Sequence, residues 1–163
     1  MNGGMGLDVT LRRMNEMLTI AYRSIIKVEE LMLYDLSDGK LTISEMHMLE
    51  SIGKRRGEGV TITEIAQDLE ITLPSVTAMI KRLERKGYIT KDRSSVDARR
   101  VHVLLTPEGS RAEIAHRYFH RKIIRELTEE LNIEEKEAIL SGLEKLNGFI
   151  RRQIGDYTAG KEE

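Results

Sequence analysis

The stretch TITEIAQDLEITLPSVTAMIKRLERKGYITKDRSSVDARRVHVLLTPEG, Thr61 to Gly109, narrows the possible folds more than any other part of the chain. It reads as a short helix, a tight turn, a second helix, and two β-prone runs flanking a basic loop. In the first helix Ile65, Ala66 and Leu69 share one face, with Glu64, Gln67 and Asp68 opposite, the division a half-buried helix needs. The small Ala66 lets a second helix cross closely. Thr72 is an N-cap candidate for that second helix, and Pro74 falls in its first turn, where a missing N–H costs little.

Val76, Met79, Ile80 and Leu83 then recur at 3-4-3 spacing, which sends one stripe into a core and leaves Ser75, Thr77, Ala78, Lys81, Arg82 and Arg85 facing out. Short hydroxyl side chains near the start of such a helix can approach base edges. The cations further along reach phosphates or bases. Gly87 is a helix stop, with Lys86 at the negative end of the dipole. Tyr88–Lys91 and Val101–Leu105 read as an antiparallel wing whose loop carries Arg93, Arg99 and Arg100. A cationic ribbon beside a recognition helix suits the minor groove. Thr106 and Pro107 then open another helix.

The formal net charge of −1 conceals a strong asymmetry. From Lys81 to Arg100 there are eight Lys or Arg against three acids, whereas from Glu126 to Glu163 there are ten acids against five bases. The basic cluster coincides with the exposed side of the helix-turn-helix and wing, which points to double-stranded DNA as partner. The rival reading, a winged-helix module that binds protein without DNA, has no need for Lys81, Arg82, Arg99 and Arg100 on one surface. Enzyme readings find no phosphate-cradling Gly loop, no nucleophile elbow and no Cys. The absence of Cys also excludes disulfides and thiol redox sensing. No apolar run approaches the ~20 residues of a membrane span and no signal peptide is visible, so a cytoplasmic location is expected.

These motifs resemble those of the MarR family of dimeric winged helix-turn-helix regulators. The resemblance is carried by Leu41-Thr42, Glu64-Ile65-Ala66, Leu83-Glu84-Arg85-Lys86-Gly87-Tyr88, Asp97-Ala98-Arg99 and Leu105-Thr106-Pro107-Glu108-Gly109, in that order. Two positions depart from the family pattern: Glu70 stands where Gly is usual in the turn, and Ala98 replaces the first Arg of the wing motif. A left-handed Glu70 would cost roughly 1 kcal/mol.

The expected fold is mostly α with a small β-wing. Residues 1–8 are expected to be disordered, 9–154 to form a single domain, and 155–163 to be a flexible tail. Within the domain, 42–105 is the winged helix-turn-helix, with the helix-turn-helix at 61–86 and the wing at 88–105; 9–36 and 107–154 are dimerisation helices. Leu11, Met14, Leu18, Ala21, Ile25, Val28 and Met32 form a long apolar seam that a partner subunit explains, and Ile139, Leu143, Leu146 and Ile150 form a second stripe. Thr42-Ile43-Ser44-Glu45 fits a capping box for a helix to about Arg56, and Asn132 caps the last helix. The resemblance implies a homodimeric repressor that binds a pseudo-palindromic operator and responds to an effector. The DNA contacts expected from residues and resemblance are Thr72, Ser75, Thr77, Lys81, Arg82, Arg85, Arg93, Arg99 and Arg100.

Two effector classes remain open beside a purely structural reading. His116 and His120 stand one helical turn apart, a spacing that can chelate a transition metal. Resemblance to the zinc-responsive repressors of the family implies that His47, His116 and His120 contribute zinc ligands. Glu29, Glu30, Glu45 and Glu50 are the carboxylates that could complete such a site. The segments Ile43–His47 and His116–His120 also resemble the fatty-acid-synthesis repressors, which respond to acylated carrier protein. For that apolar or acyl effector, the adaptable methionines suggest a pocket involving Met14, Met17, Met46 and Tyr118.

Overall fold

The structure is a computed structural model that describes residues 3–55, 59–93 and 101–159. The described chain runs α1 (Gly3–Ser37), α2 (Ile43–Gly53), β1 (Val60–Thr61), α3 (Ile62–Leu69), α4 (Leu73–Arg85), β2 (Ile89–Arg93), β3 (Val101–Leu105), α5 (Pro107–Glu129) and α6 (Ile133–Ala159). It divides into two compact units, Met1–Arg117 and Tyr118–Glu163. No helix among the described residues is long and apolar enough to cross a membrane.

Helix α1 begins at Gly3, within the stretch 1–8 expected to be disordered, of which residues 1 and 2 lie outside the described residues. Extending an existing helix fixes one residue per new hydrogen bond, whereas starting one fixes several, so a long helix readily extends into the residues that precede it. The face of α1 that packs within the chain is distinct from the seam that was expected to meet a partner subunit. Glu29, Leu33 and Ser37 are buried, while Leu11, Met14, Leu18, Ile25 and Val28 of the seam stay exposed. Ser37 closes the helix, its Oγ donating to the Leu33 carbonyl at 2.7 Å and accepting from the Leu41 amide at 3.0 Å.

Capping boxes start the next helices. Thr42 accepts from the Glu45 amide while the Glu45 carboxylate accepts from the Thr42 amide, and Thr61 with Glu64 repeats the arrangement for α3. Helix α2 ends at Gly53, short of the expected Arg56. Between α3 and α4, Glu70 has φ 53, left-handed as anticipated, and its amide bonds back to the carbonyls of Ala66 and Gln67. Thr72 caps α4 with Pro74 in its first turn.

The core lies where α2, α3 and α4 meet the sheet. Met46, Met48, Leu49, Ile65, Val76, Ile80, Leu83 and Val103 are almost completely removed from solvent. At 1.5–3 kcal/mol for each fully buried large aliphatic side chain, this cluster supplies most of what holds the helix-turn-helix in place. The sheet is antiparallel in the order β1-β3-β2, with Ile89 opposite Leu105 and Val60 opposite Val103. Strand β1, two residues long, was not anticipated, because so short a run carries no period.

Thr106 links the sheet to α5. Its amide donates to the Tyr88 carbonyl at 3.0 Å and its Oγ1 to the Gly87 carbonyl at 2.7 Å. Gly109 is required there, since a Cβ at that position would stand 2.0 Å from the Tyr88 oxygen. In the second unit α6 is capped by Asn132, whose Oδ1 accepts from the Glu135 amide at 3.0 Å. Ile139, Leu143 and Ile150 of its apolar stripe are exposed in the single chain. An apolar stripe of this kind lacks a covering surface in the single chain. The helix also continues to Ala159 through part of the expected flexible tail.

Candidate nucleic-acid interface and the histidine cluster

Helix α4 presents two faces of opposite character. Val76, Ile80 and Leu83 are buried, whereas Thr72, Ser75, Lys81, Arg82 and Arg85 are exposed and Thr77 is half-buried. The hydroxyls at its start are ordered locally: Thr72 Oγ1 and Ser75 Oγ lie 2.9 Å apart, and Thr77 Oγ1 donates to the Leu73 carbonyl at 2.9 Å. Lys81 and Arg85 extend from the outward face. Arg93 is the last residue of β2, and Arg99 and Arg100 lie outside the described residues.

Arg82, one of the expected DNA contacts, also has a neighbour within the chain. Its Nε lies 3.7 Å from Glu45 Oε1, so the side chain leans back toward α2 while remaining half-exposed. Lys86 is drawn in more strongly, with Nζ 2.7 Å from both Glu45 oxygens and 2.7 Å from the Lys40 carbonyl. Burial pushes the Glu45 carboxyl up, but the Lys86 ammonium and the Thr42 amide outweigh it and hold the group below the ordinary glutamate value. Neither partner was legible in sequence, because 41 residues separate Glu45 from Lys86.

A second polar cluster joins α1, α2 and α5. His116 is wholly buried, with Nδ1 2.7 Å from Glu50 Oε1 and Nε2 3.0 Å from Glu29 Oε1. His47 Nε2 approaches the same Glu29 oxygen at 3.2 Å, and the two imidazoles meet edge-to-face with centroids 6.2 Å apart. Burial alone would lower the His116 pKa, but the Glu50 and Glu29 carboxylates raise it above the ordinary imidazole value. A protonated His116 can donate from both ring nitrogens, one to Glu29 and one to Glu50. The structure thus brings His47 and His116 together and selects Glu29 and Glu50 from the four candidate carboxylates. His120 follows one turn later on α5, half-buried and edge-to-face with Phe119.

Of the residues expected around an apolar effector, Met46 lies in the core with no exposed surface, whereas Met14, Met17 and Tyr118 stand exposed in the single chain. Periodicity placed all of them on apolar helix faces but carried no information about which face meets which.

The order α3, turn, α4, β2, β3, with one face of α4 in the core and the other hydroxylated and cationic, defines a winged helix-turn-helix. The chain belongs to the MarR family, whose model matches residues 41–101. A solved structure of Streptococcus pneumoniae FabT in complex with DNA is similar, with a TM-score of 0.82 and 33% identity over 88% of this chain and 99% of that one. An uncharacterized HTH-type transcriptional regulator of Bacillus subtilis, YhjH, is 29% identical over 53% of this chain and 48% of its own length. The HTH-type transcriptional repressor MdtR of the same organism is 31% identical over 51% of this chain and 52% of its own. The chain thus spans about half the length of the curated relatives it matches.

Proposed function

We propose that this chain is a homodimeric, sequence-specific DNA-binding repressor that works in the cytoplasm and reads its operator with α4. The observation that carries this reading is the two-faced α4, whose buried stripe fixes the helix and whose outer face offers Ser75, Thr77, Lys81 and Arg85 to a groove. The likeness to FabT, solved with DNA, supports it. Exposed Leu11, Met14, Leu18 and Ile25 on α1 support the dimer, because an apolar stripe of that length calls for a covering surface, and a twofold copy doubles the base pairs read.

Operator affinity on this reading is tuned at the cluster of Glu29, His47 and His116, which ties α1 to α2 beside the DNA-reading unit. Two imidazoles and a carboxylate converging on one oxygen fit the donor chemistry of a divalent transition metal. Glu29 and His116 would contribute ligands to the ion, which would supply a fixed positive charge in place of the His116 proton. Glu50 would then orient the His116 ring.

Fluorescence anisotropy tests both parts. The duplex selected by the protein from a randomised pool should bind more tightly than a scrambled duplex, and Lys81→Ala should reduce the salt slope by about 1 on both. Zinc should shift the affinity of the wild type and leave His116→Ala unmoved. Equal affinity for every duplex would favour the protein-binding module instead.

A further inference from the structure

Glu45 is 2% exposed, yet it holds three partners. The Thr42 amide reaches its Oε2 at 3.0 Å and completes the capping box of α2, while Lys86 Nζ stands 2.7 Å from each oxygen and Arg82 Nε 3.7 Å from Oε1. Lys86 is the C-cap residue of α4, and its ammonium also donates to the Lys40 carbonyl just before α2. A single carboxylate therefore fastens the far end of α4 to the first turn of α2. At the near end, Thr72 and Ser75 are held by each other. The apolar packing of Val76, Ile80 and Leu83 resists lifting of α4 but is not directional, so it fixes rotation and slide less sharply than short charged hydrogen bonds to a buried acceptor.

We infer that Glu45 is a positioning residue for DNA reading: through Lys86 and Arg82 it sets the pitch at which α4 offers Ser75, Thr77 and Lys81 to the groove, and thereby governs discrimination between operators rather than overall affinity. The inference rests on the reading of α4 as the DNA-contacting helix. Base-edge hydrogen bonds tolerate displacements of about half an ångström, whereas phosphate contacts from long flexible cations follow the backbone through larger shifts. Loosening the far end of α4 therefore weakens base readout first. Lys86 is also withdrawn from the general pool of phosphate-seeking charge, because its ammonium is engaged by Glu45 and the Lys40 carbonyl.

The full-length protein tests this with three variants. Glu45→Gln keeps a carbonyl oxygen for the Thr42 amide but removes the charge. Lys86→Met removes the tie while Glu45 still caps α2, and Lys86→Arg keeps a cation in reach. Affinities are measured by anisotropy over a range of salt, for a duplex selected by the wild type from a randomised pool and for its scrambled counterpart. Glu45→Gln and Lys86→Met should each lower the ratio of specific to non-specific affinity about tenfold, with the scrambled duplex bound as tightly as before or more tightly. Lys86→Arg should stay within about threefold of the wild type, and the double variant should lose no more than either single variant. An unchanged ratio in Lys86→Met, or equal losses on both duplexes, overturns the inference. Should Glu45→Gln not fold, the Lys86 pair alone decides. A wild type that selects no duplex overturns the DNA-binding reading itself, an outcome distinct from selective binding that survives Lys86→Met.

Discussion

His116 Nε2 lies 3.0 Å from Glu29 Oε1 and joins α5 to α1 across 87 residues of chain. The pair is buried, and the second ring nitrogen is engaged by Glu50, so the imidazole is the shared partner of two carboxylates from different helices. Such a group holds three elements together only while it is present and charged.

Removal of His116 should therefore be costly. His116→Ala leaves Glu29 buried without this partner and should destabilise the fold by about 3 kcal/mol, measured by urea denaturation. A loss below about 1 kcal/mol would mean that water or a neighbouring side chain takes over the site.

The Glu45 tie makes a prediction about acid. Its folded-state pKa lies below the ordinary glutamate value, so the stabilisation is complete above the unfolded value of about 4.3 and is lost as pH falls through the lower folded value. The stability difference between wild type and Glu45→Gln should be largest near neutral pH and shrink in acid. Denaturation curves from about pH 7 to about pH 3 give the profile, and a constant difference would contradict it.

At the turn of the helix-turn-helix, Glu70 holds φ 53 with its amide bonded to the preceding helix turn. Glu70→Gly relieves the left-handed strain at the expense of unfolded-chain entropy and should raise stability by about 0.5–1 kcal/mol. Thermal unfolding reads the gain as a higher midpoint; a lower midpoint would show that the Glu70 side chain makes a compensating contact.

The apolar face of α1 supplies a test of assembly. Ile25 is 61% exposed in the single chain, so Ile25→Glu should leave the core around Met46 and Ile65 intact while placing a charge in the dimer seam. Sedimentation should report a monomer with unchanged helical circular dichroism. Dimers that persist would locate the interface elsewhere.

Periodicity, caps and turn residues were sufficient for the helix-turn-helix, because these signals act over a few residues. Thr42, Thr72 and Asn132 announce helix starts by side-chain chemistry confined to one turn, and the stripe Val76, Ile80, Leu83 shows which face of α4 turns inward. The His116 and His120 spacing was equally local. Which carboxylate meets His116, that Lys86 and Arg82 turn back to Glu45, and that Met46 is core while Met14 and Met17 are not were decided by tertiary structure. Those relationships depend on how helices distant in sequence cross, and a linear pattern specifies the polarity of a face without specifying its partner.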